Sequence, residues 1–267
     1  MGLFDVHAHL THPRLLPQVD EVLDHARSAG LSSIISNGLN PEDNQSVRDL
    51  AARCPLVRPA FGLYPVDAVL TEMAQQGLGY PREPGDWTAE EAVEWVREHA
   101  HEAIAVGEIG LDGYWVPEDL WQRQEQIFRS LVQVALDADK PIIIHSRKRE
   151  QRCFEIVQEL GAKRVNFHCF GSKVKRARRY AGEGYYFSIP ANARRSESFT
   201  RMLETLPRDR LLLETDCPYL SPERDTTNEP ANVSGTLAYA AELWGETETS
   251  VLEQLEENYC RLFGSPP

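Results

Sequence analysis

The chain has 267 residues, of which 42% are hydrophobic and 26% charged, proportions that argue against a disordered or fibrous protein. It carries 28 Lys and Arg against 41 Asp and Glu, and a net charge of −13 excludes a general nucleic-acid coat protein, which phosphate would repel. Five cysteines without a Cys-x-x-Cys pair argue against a disulfide framework, so we expect a reducing, cytoplasmic location. Because no stretch approaches the ~18–20 apolar residues of a membrane span, we expect no membrane partner.

Eight short apolar runs recur along the chain, and most are rich in Ile, Val, Leu or Phe, as strands buried on both faces are. Helical stretches with apolar residues at three- and four-residue spacing separate them. Eight strands that alternate with helices over about 250 residues favour an α/β fold of the (β/α)₈ TIM-barrel type, but an open doubly wound sheet has the same pattern. The predicted strands are 3–6, 33–36, 59–63, 104–109, 141–144, 165–167, 185–189 and 211–214.

One segment, 71–86, interrupts this alternation. It contains three glycines and two prolines, and we predict a loop insertion there. No linker, internal repeat or low-complexity tract divides the rest of the sequence. We therefore expect residues 1–267 to form a single domain.

Residues that can bind metal follow several predicted strands directly. His7 and His9 end the first strand, and residues two apart on a strand share one face, which would also include Asp5. Four later strands end in the same way, with Glu108, His145, His168 and Asp216. A single histidine at a strand end is more often a packed residue than a ligand, but this repetition is hard to assign to chance. In a barrel all these ends meet on one face, whereas an open sheet would scatter them.

Six such groups exceed the need of one tetrahedral zinc ion. They suit two ions about 3.5–4 Å apart that a carboxylate bridges, a pair that holds a hydroxide nucleophile and stabilises a phosphoryl or carbonyl transition state. The donors are all N and O, which leaves Zn, Mn, Mg and Co open. No serine-hydrolase, P-loop or dinucleotide-binding motif supports a different chemistry.

The motifs around these residues resemble those of the TatD family of metal-dependent hydrolases, within the amidohydrolase superfamily. They cover most of the chain and stand in the family's order. The motifs are Asp-Val-His-Ala-His (5–9), Val-Gly-Glu-Ile-Gly-Leu-Asp (106–112), Ile-His-Ser-Arg (144–147), His-Cys-Phe-Gly (168–171), Leu-Glu-Thr-Asp-Cys-Pro-Tyr-Leu (213–220), Asn-Glu-Pro (228–230) and the closing stretch 258–264.

The resemblance implies a barrel of the metallo-dependent hydrolase type with a two-metal site. Its ligands would be His7, His9 and Asp216 for one ion, His145 and His168 for the other, and Glu108 as the bridge. Glu108 and Asp216 would be the catalytic residues, with Asp216 as general base. Family members are described as DNases that act as 3′→5′ exonucleases or on abasic sites, and some relatives remove D-amino acids from tRNA.

Two departures from the family pattern bear on the substrate. The family carries Gly-[Ile/Leu]-His-Pro after the third strand, where this chain has Tyr64 in place of histidine. The lysine of the family's Arg-Gly-Lys-x-Asn is missing from Arg-Asp-Thr-Thr at 224–227. A DNA phosphodiesterase, in the class of ester hydrolases, is the favoured function. The alternatives are an ester or amide hydrolase acting on D-aminoacyl-tRNA or a small molecule, and a binding protein without activity, against which the six retained ligands argue.

Positive charge is concentrated between residues 147 and 201, where fourteen Lys and Arg stand against five acids. A solvated helix face explains the cluster at 173–179 equally well. Other cations follow strands five, six and seven closely and would hold phosphates near the metals. These are Arg147, Lys148, Lys173, Arg194 and Arg195. Our candidates for substrate binding are Arg147, Lys173, Arg194 and Tyr64, with DNA or another phosphate compound as partner and a monomer or weak oligomer as the assembly.

Overall fold

The computed structural model describes residues 2–264. Eight parallel strands form one sheet in which each strand pairs with the next along the chain. The strands are β1 (Leu3–Ala8), β2 (Leu31–Asn37), β3 (Val57–Phe61), β4 (Ala105–Gly110), β5 (Ile142–His145), β6 (Val165–Phe167), β7 (Tyr186–Ile189) and β8 (Leu211–Leu213). The helices are α1 (Val19–Ser28), α2 (Pro41–Arg53), α3 (Leu70–Gln75), α4 (Ala89–His99), α5 (Trp121–Asp137), α6 (Glu150–Glu159), α7 (Val174–Gly182), α8 (Glu197–Thr205), α9 (Val233–Trp244) and α10 (Glu248–Phe263). Each predicted strand overlaps the observed strand of the same order.

Backbone hydrogen bonds join β1 to the segment after β8 and bring the two edges of the sheet together. Asp216 donates its N–H to the carbonyl oxygen of His7 at 2.9 Å. His9 donates its N–H to the carbonyl oxygen of Cys217, also at 2.9 Å. The result is a nearly closed (β/α)₈ barrel, and the alternative of an open doubly wound sheet is wrong.

An irregularity in β1 separates the polar residues that the two-residue spacing grouped together. The pairing of β1 with β2 shifts between Asp5 and Ala8, where three steps along β1 match two along β2, as in a β-bulge. The Asp5 carboxylate accepts the N–H of Thr215 at 3.0 Å and its hydroxyl at 2.5 Å. Asp5 thus helps to close the barrel instead of joining His7 and His9.

An apolar cluster fills part of the barrel interior below the polar strand ends. Buried side chains from seven strands form one cluster there: Phe4, Val6, Ile35, Ala60, Ala105, Ile143, Tyr186 and Leu212. Tyr259, Leu262 and Phe263 of α10 pack against the same cluster. The Tyr259 ring stacks on Phe4 with 4.3 Å between centroids, and its hydroxyl lies 3.2 Å from that of Ser33. Helix α10 therefore covers this part of the barrel interior.

The segment 71–86 is only partly a loop. Its first residues belong to α3, which ends at Gln75, and residues 76–86 form neither helix nor strand. The prediction of a loop is therefore wrong for the first third of the segment. Within residues 2–264, no helix has both the length and the apolar character needed to cross a membrane.

Replacing Tyr259 with Ala should lower the free energy of unfolding by about 3–5 kcal/mol, because the ring is fully buried in the barrel interior. Tyr259→Phe should cost about 1 kcal/mol, since it keeps the ring and loses only the contact with Ser33. Urea denaturation followed by circular dichroism measures both, with the exposed Glu253→Ala of the same helix as control. Equal stability of Tyr259→Ala and this control would contradict the packing role.

Candidate metal centre

The six residues predicted as ligands meet at the carboxyl ends of the strands. They are His7 in β1, His9 directly after it, Glu108 in β4, His145 at the end of β5, His168 directly after β6, and Asp216 after β8. Glu108 is buried to 2% exposure, and the most exposed side chain of the six, that of Asp216, is only 14% exposed. The structure therefore brings the whole predicted set into one nearly dry cluster.

Glu108 lies between two pairs of histidines. Its Oε1 atom is 2.9 Å from Nδ1 of His145 and 2.9 Å from Nε2 of His168. Its Oε2 atom is 3.5 Å from Nε2 of both His7 and His9. Each carboxylate oxygen thus faces one pair of imidazoles, which is the arrangement of a carboxylate that can bridge two metal ions.

Two groups of three side chains, which share His7, have ligand atoms close enough together to hold an ion. His7, His9 and Asp216 form the first, and all their ligand atoms lie within 4.8 Å of one another. In this group the Nε2 atoms of the two histidines are 3.2 Å apart, and Oδ1 of Asp216 is 3.7 and 3.5 Å from them. His7, Glu108 and His168 form the second group.

The donor set fits divalent cations. Two buried carboxylates and four imidazoles converge here, and buried carboxylates need positive charge beside them. Bare ring nitrogens that face one another, as those of His7 and His9 do, become compatible when a cation binds both. Within residues 2–264 neither group includes a cysteine, and nitrogen and oxygen donors suit Zn, Mn, Co and Mg alike.

Burial and the histidines act in opposite directions on the carboxyl groups of the cluster. Burial raises the pKa of Glu108, but the charge of His168 and hydrogen bonds from His145, His168 and His7 outweigh it and hold the pKa well below its ordinary value. Burial also raises the pKa of Asp216, and the hydrogen bond from His9 with the nearby histidine charges lowers it overall. Both carboxyl groups are therefore ionised and able to bind metal.

Polar groups stand behind three of the four histidines, at the ring nitrogen that faces away from the cluster. They are Oδ2 of Asp112 behind His145 (2.9 Å), the carbonyl oxygen of Asn37 behind His9 (3.1 Å) and Oε1 of Glu214 behind His168 (3.7 Å). At hydrogen-bond distance, as behind His145 and His9, such partners fix the orientation and tautomer of a metal-binding histidine and raise its basicity. His145 and His9 are thus preset with their inner nitrogens toward the cluster, while the longer contact of Glu214 places negative charge near His168.

Asp112 is a site residue that the sequence reasoning missed. Its side chain is fully buried, and while Oδ2 faces His145, Oδ1 accepts the N–H groups of Tyr114 at 2.7 Å and Trp115 at 2.8 Å. Asp112 stands only four positions after Glu108, in a motif already singled out. It was missed because it lies in the loop and not at the strand end.

Gly110 allows β4 and β5 to approach closely at this site. Its φ is +147°, and a Cβ atom there would lie 1.9 Å from the carbonyl oxygen of His145. Any side chain would therefore displace His145 or the strand that carries Glu108. The glycine of the Glu-Ile-Gly motif is explained by this contact.

Three of the predicted substrate-binding residues surround the cluster or its loops. The Tyr64 ring packs against His145 with 4.9 Å between centroids, and burial raises its pKa well above the ordinary value, so the phenol stays protonated. The Arg147 guanidinium lies 3.7 Å above the Tyr114 ring. Lys173 is exposed directly before α7.

Arg194 is engaged elsewhere. Its guanidinium pairs with Glu242 at 2.5 Å and stacks over Tyr239 at 4.3 Å, both in α9, so its charge is compensated away from the ligands. A different arginine, Arg14, lines a cleft of about 580 Å³ together with Tyr219. The Tyr219 ring lies 6.5 Å from that of His9, so this cleft opens beside the cluster.

In the basic stretch 173–179, two arginines pack on α6. Arg176 lies 3.8 Å from the Glu150 carboxylate, and Arg179 lies 5.3 Å from the Phe154 ring centroid. These contacts agree with a helix face that packs on its neighbour. Lys173, at the start of the stretch, follows the end of β6 by six residues.

Comparison with known proteins connects this cluster to a family. Residues 4–264 match the family model described as TatD related DNase. An uncharacterized metal-dependent hydrolase of Bacillus subtilis (strain 168), YabD, is 31% identical, and the match covers 98% of each chain. The human deoxyribonuclease TATDN3 is 29% identical over 98% of this chain and 95% of its own. The crystal structure of YjjV, a TatD homolog from Escherichia coli K12, superposes with a TM-score of 0.84 at 24% identity, covering 99% of this chain and 98% of that one.

Asp112→Asn should weaken the binding of Mn²⁺ by about 10–100-fold, because His145 loses the carboxylate behind its ring. Isothermal titration of metal into chelator-treated protein measures this. Glu118→Gln, an exposed acid in the same loop, is the matched control and should bind as the unmodified protein does. If both variants bind Mn²⁺ with the same affinity, Asp112 does not orient His145.

Proposed function

The chain belongs to the TatD family of metal-dependent hydrolases, and on that premise we propose that it is a deoxyribonuclease that uses two divalent metal ions. The observation that carries the proposal is the position of Glu108, whose two oxygens face separate pairs of histidines. A bridging carboxylate of this kind is typical of two-metal sites that cleave phosphoester bonds. The name of the human relative, a deoxyribonuclease, supports DNA as substrate.

The six residues that would hold the ions form two sets, one for each ion, with one residue shared between them. His7, His9 and Asp216 would hold one ion, His145 and His168 the other, and Glu108 both. Such ions, when bound, supply an activated water and draw negative charge from phosphoryl oxygens. The family match over residues 4–264 also supports our proposal that the chain is a single domain.

Asp216 and Glu108 would have different roles because they differ in access to water. The Asp216 side chain is 14% exposed and Glu108 only 2%. Asp216 can therefore take the proton of an attacking water at its carboxylate, as a general base must. Glu108, closed in by imidazoles, would keep its negative charge and hold the ligands in place.

Around the cluster, Tyr64, Arg147 and Lys173 would bind the substrate. The protonated Tyr64 phenol can donate a hydrogen bond to a substrate oxygen but cannot serve as a base near neutral pH. Within residues 2–264, Arg147 and Lys173 take part in no salt bridge, so their charges are available to a phosphate.

A second candidate function is an ester or amide hydrolase of the same superfamily, acting on D-aminoacyl-tRNA or a small molecule. The observation that favours it is Tyr64, which stands where the family has histidine and packs against His145. The missing lysine at 224–227 points the same way. Both functions use the same ligands, and only the bound electrophile differs.

Glu108→Gln and His145→Ala should each lower kcat/KM for a single-stranded DNA oligonucleotide by more than the ~100-fold that loss of a ligand's supporting partner costs. Both changes remove a group that faces the centre of the ligand cluster, and Glu108 contacts both pairs of histidines. Cleavage followed on denaturing gels measures the effect, with the exposed His101→Ala as control. Unchanged turnover in both variants would refute the site.

Parallel assays on the oligonucleotide, a D-aminoacyl-tRNA and a simple lactone separate the two candidate functions. The proposal expects the oligonucleotide to have the highest kcat/KM, with activity lost on chelation and restored by added metal. A higher kcat/KM for the tRNA or the lactone would replace the nuclease proposal by the second one.

A further inference from the structure

We propose that Tyr114 and Trp115 form a stacking site for the unpaired bases of single-stranded DNA, with Arg147 holding the phosphate backbone beside them. This inference rests on the proposed nuclease function and deepens it, because it names the side chains that would bind the bases of the substrate. Tyr114 and Trp115 lie in the loop between β4 and α5, and Arg147 lies two residues after the end of β5. These three residues are called the stacking site.

The exposed aromatic side chains are concentrated at one end of the barrel. Within residues 2–264, the exposed large aromatic side chains are Tyr114 (55%), Trp115 (39%) and Tyr219 (45%). The first two follow β4 and the third follows β8, so all three stand on the loops of the face that carries the metal ligands. Exposed apolar surface gathered around a polar site marks a place where something binds.

Asp112 fixes the loop that carries two of these rings to the metal ligands. Its Oδ1 atom accepts the N–H groups of Tyr114 and Trp115, and its Oδ2 atom lies 2.9 Å from Nε2 of His145. The backbone under both rings is therefore tied through one side chain to a predicted ligand. A base on these rings would place its neighbouring phosphate close to the cluster.

A continuous row of rings and one guanidinium joins the stacking site to the cluster. Trp115 contacts Tyr80 with 5.3 Å between ring centroids, and the Arg82 guanidinium lies 5.3 Å from the rings of both Tyr80 and Tyr64. Tyr64 in turn lies 4.9 Å from the His145 ring. Aromatic faces and arginines interleaved in this way are the groups that bind unpaired bases without regard to sequence.

Arg147 supplies the free positive charge of the stacking site. Its guanidinium lies over the Tyr114 ring and forms no salt bridge within the described part of the chain. Arg82 differs because it is paired with Asp67, so it serves to support the row of rings. A phosphate beside a stacked base would find its partner in Arg147.

The stacking site predicts preference for a single strand over a duplex. In a duplex each base already stacks on its neighbours, so its faces cannot lie on Tyr114 or Trp115 without unpairing. A single strand offers its faces at little cost, and each base–aromatic contact contributes measurably to binding. A net charge of −13 also makes binding through phosphates alone weak.

Fluorescence anisotropy with the metal-loaded protein and a labelled phosphorothioate strand of ten thymidines, which resists cleavage, tests the stacking site. Tyr114→Ala and Trp115→Ala should each weaken binding by about 5- to 100-fold, while Tyr114→Phe and Trp115→Phe, which keep a ring, should retain most of the affinity. The blunt duplex of the same sequence should bind more weakly and should not respond to either alanine. Equal losses on strand and duplex, or no loss with either alanine, would overturn the proposal.

Hydrolysis of bis(p-nitrophenyl) phosphate by the unmodified protein separates this inference from the function on which it rests. This small phosphodiester has no nucleobases to stack. One outcome is that the protein hydrolyses this diester while both alanine variants bind the strand with unchanged affinity. That result would refute the stacking site and support the phosphodiesterase proposal. Failure to hydrolyse this diester or DNA with any divalent metal would overturn the nuclease proposal itself.

Discussion

The burial of one carboxylate among four imidazoles is the constraint on which the rest of the structure depends. Glu108 is almost completely shielded from water, and a buried negative charge is costly unless positive or hydrogen-bonding groups surround it. His7, His9, His145 and His168 surround it from three other strand ends. Only a closed ring of parallel strands brings such distant residues to one point, so the charge requirement of Glu108 and the closure of the barrel support each other.

The same closure positions the catalytic face. The bonds that join β1 to the segment after β8 run through the backbone of His7, His9 and Asp216, so residues that close the barrel are also candidate ligands. Asp112 extends this rigidity outward, because it contacts His145 on one side and holds the loop with Tyr114 and Trp115 on the other. The cluster and the surface that would meet the substrate are thus parts of one hydrogen-bonded unit.

Much of this arrangement could be predicted from sequence, because buried parallel strands are continuous apolar runs and active residues follow their carboxyl ends. That rule predicted the eight strands and the six residues, Glu108 among them, that converge at the carboxyl ends of the strands. It failed where the outcome depends on contacts between distant parts of the chain. A bulge turns Asp5 toward Thr215, and Asp112 lies in a loop whose conformation no periodicity predicts.

A bridging position of Glu108 between two cations is the feature on which the proposed chemistry most depends. Crystals grown with Mn²⁺, measured at a wavelength where manganese scatters anomalously, test it without reference to any substrate. We expect two anomalous peaks about 3.5–4 Å apart, one on each side of the Glu108 carboxylate, with His7 and His9 at one and His145 and His168 at the other. A single peak, or peaks that do not contact Glu108, would contradict a bridging role for this carboxylate.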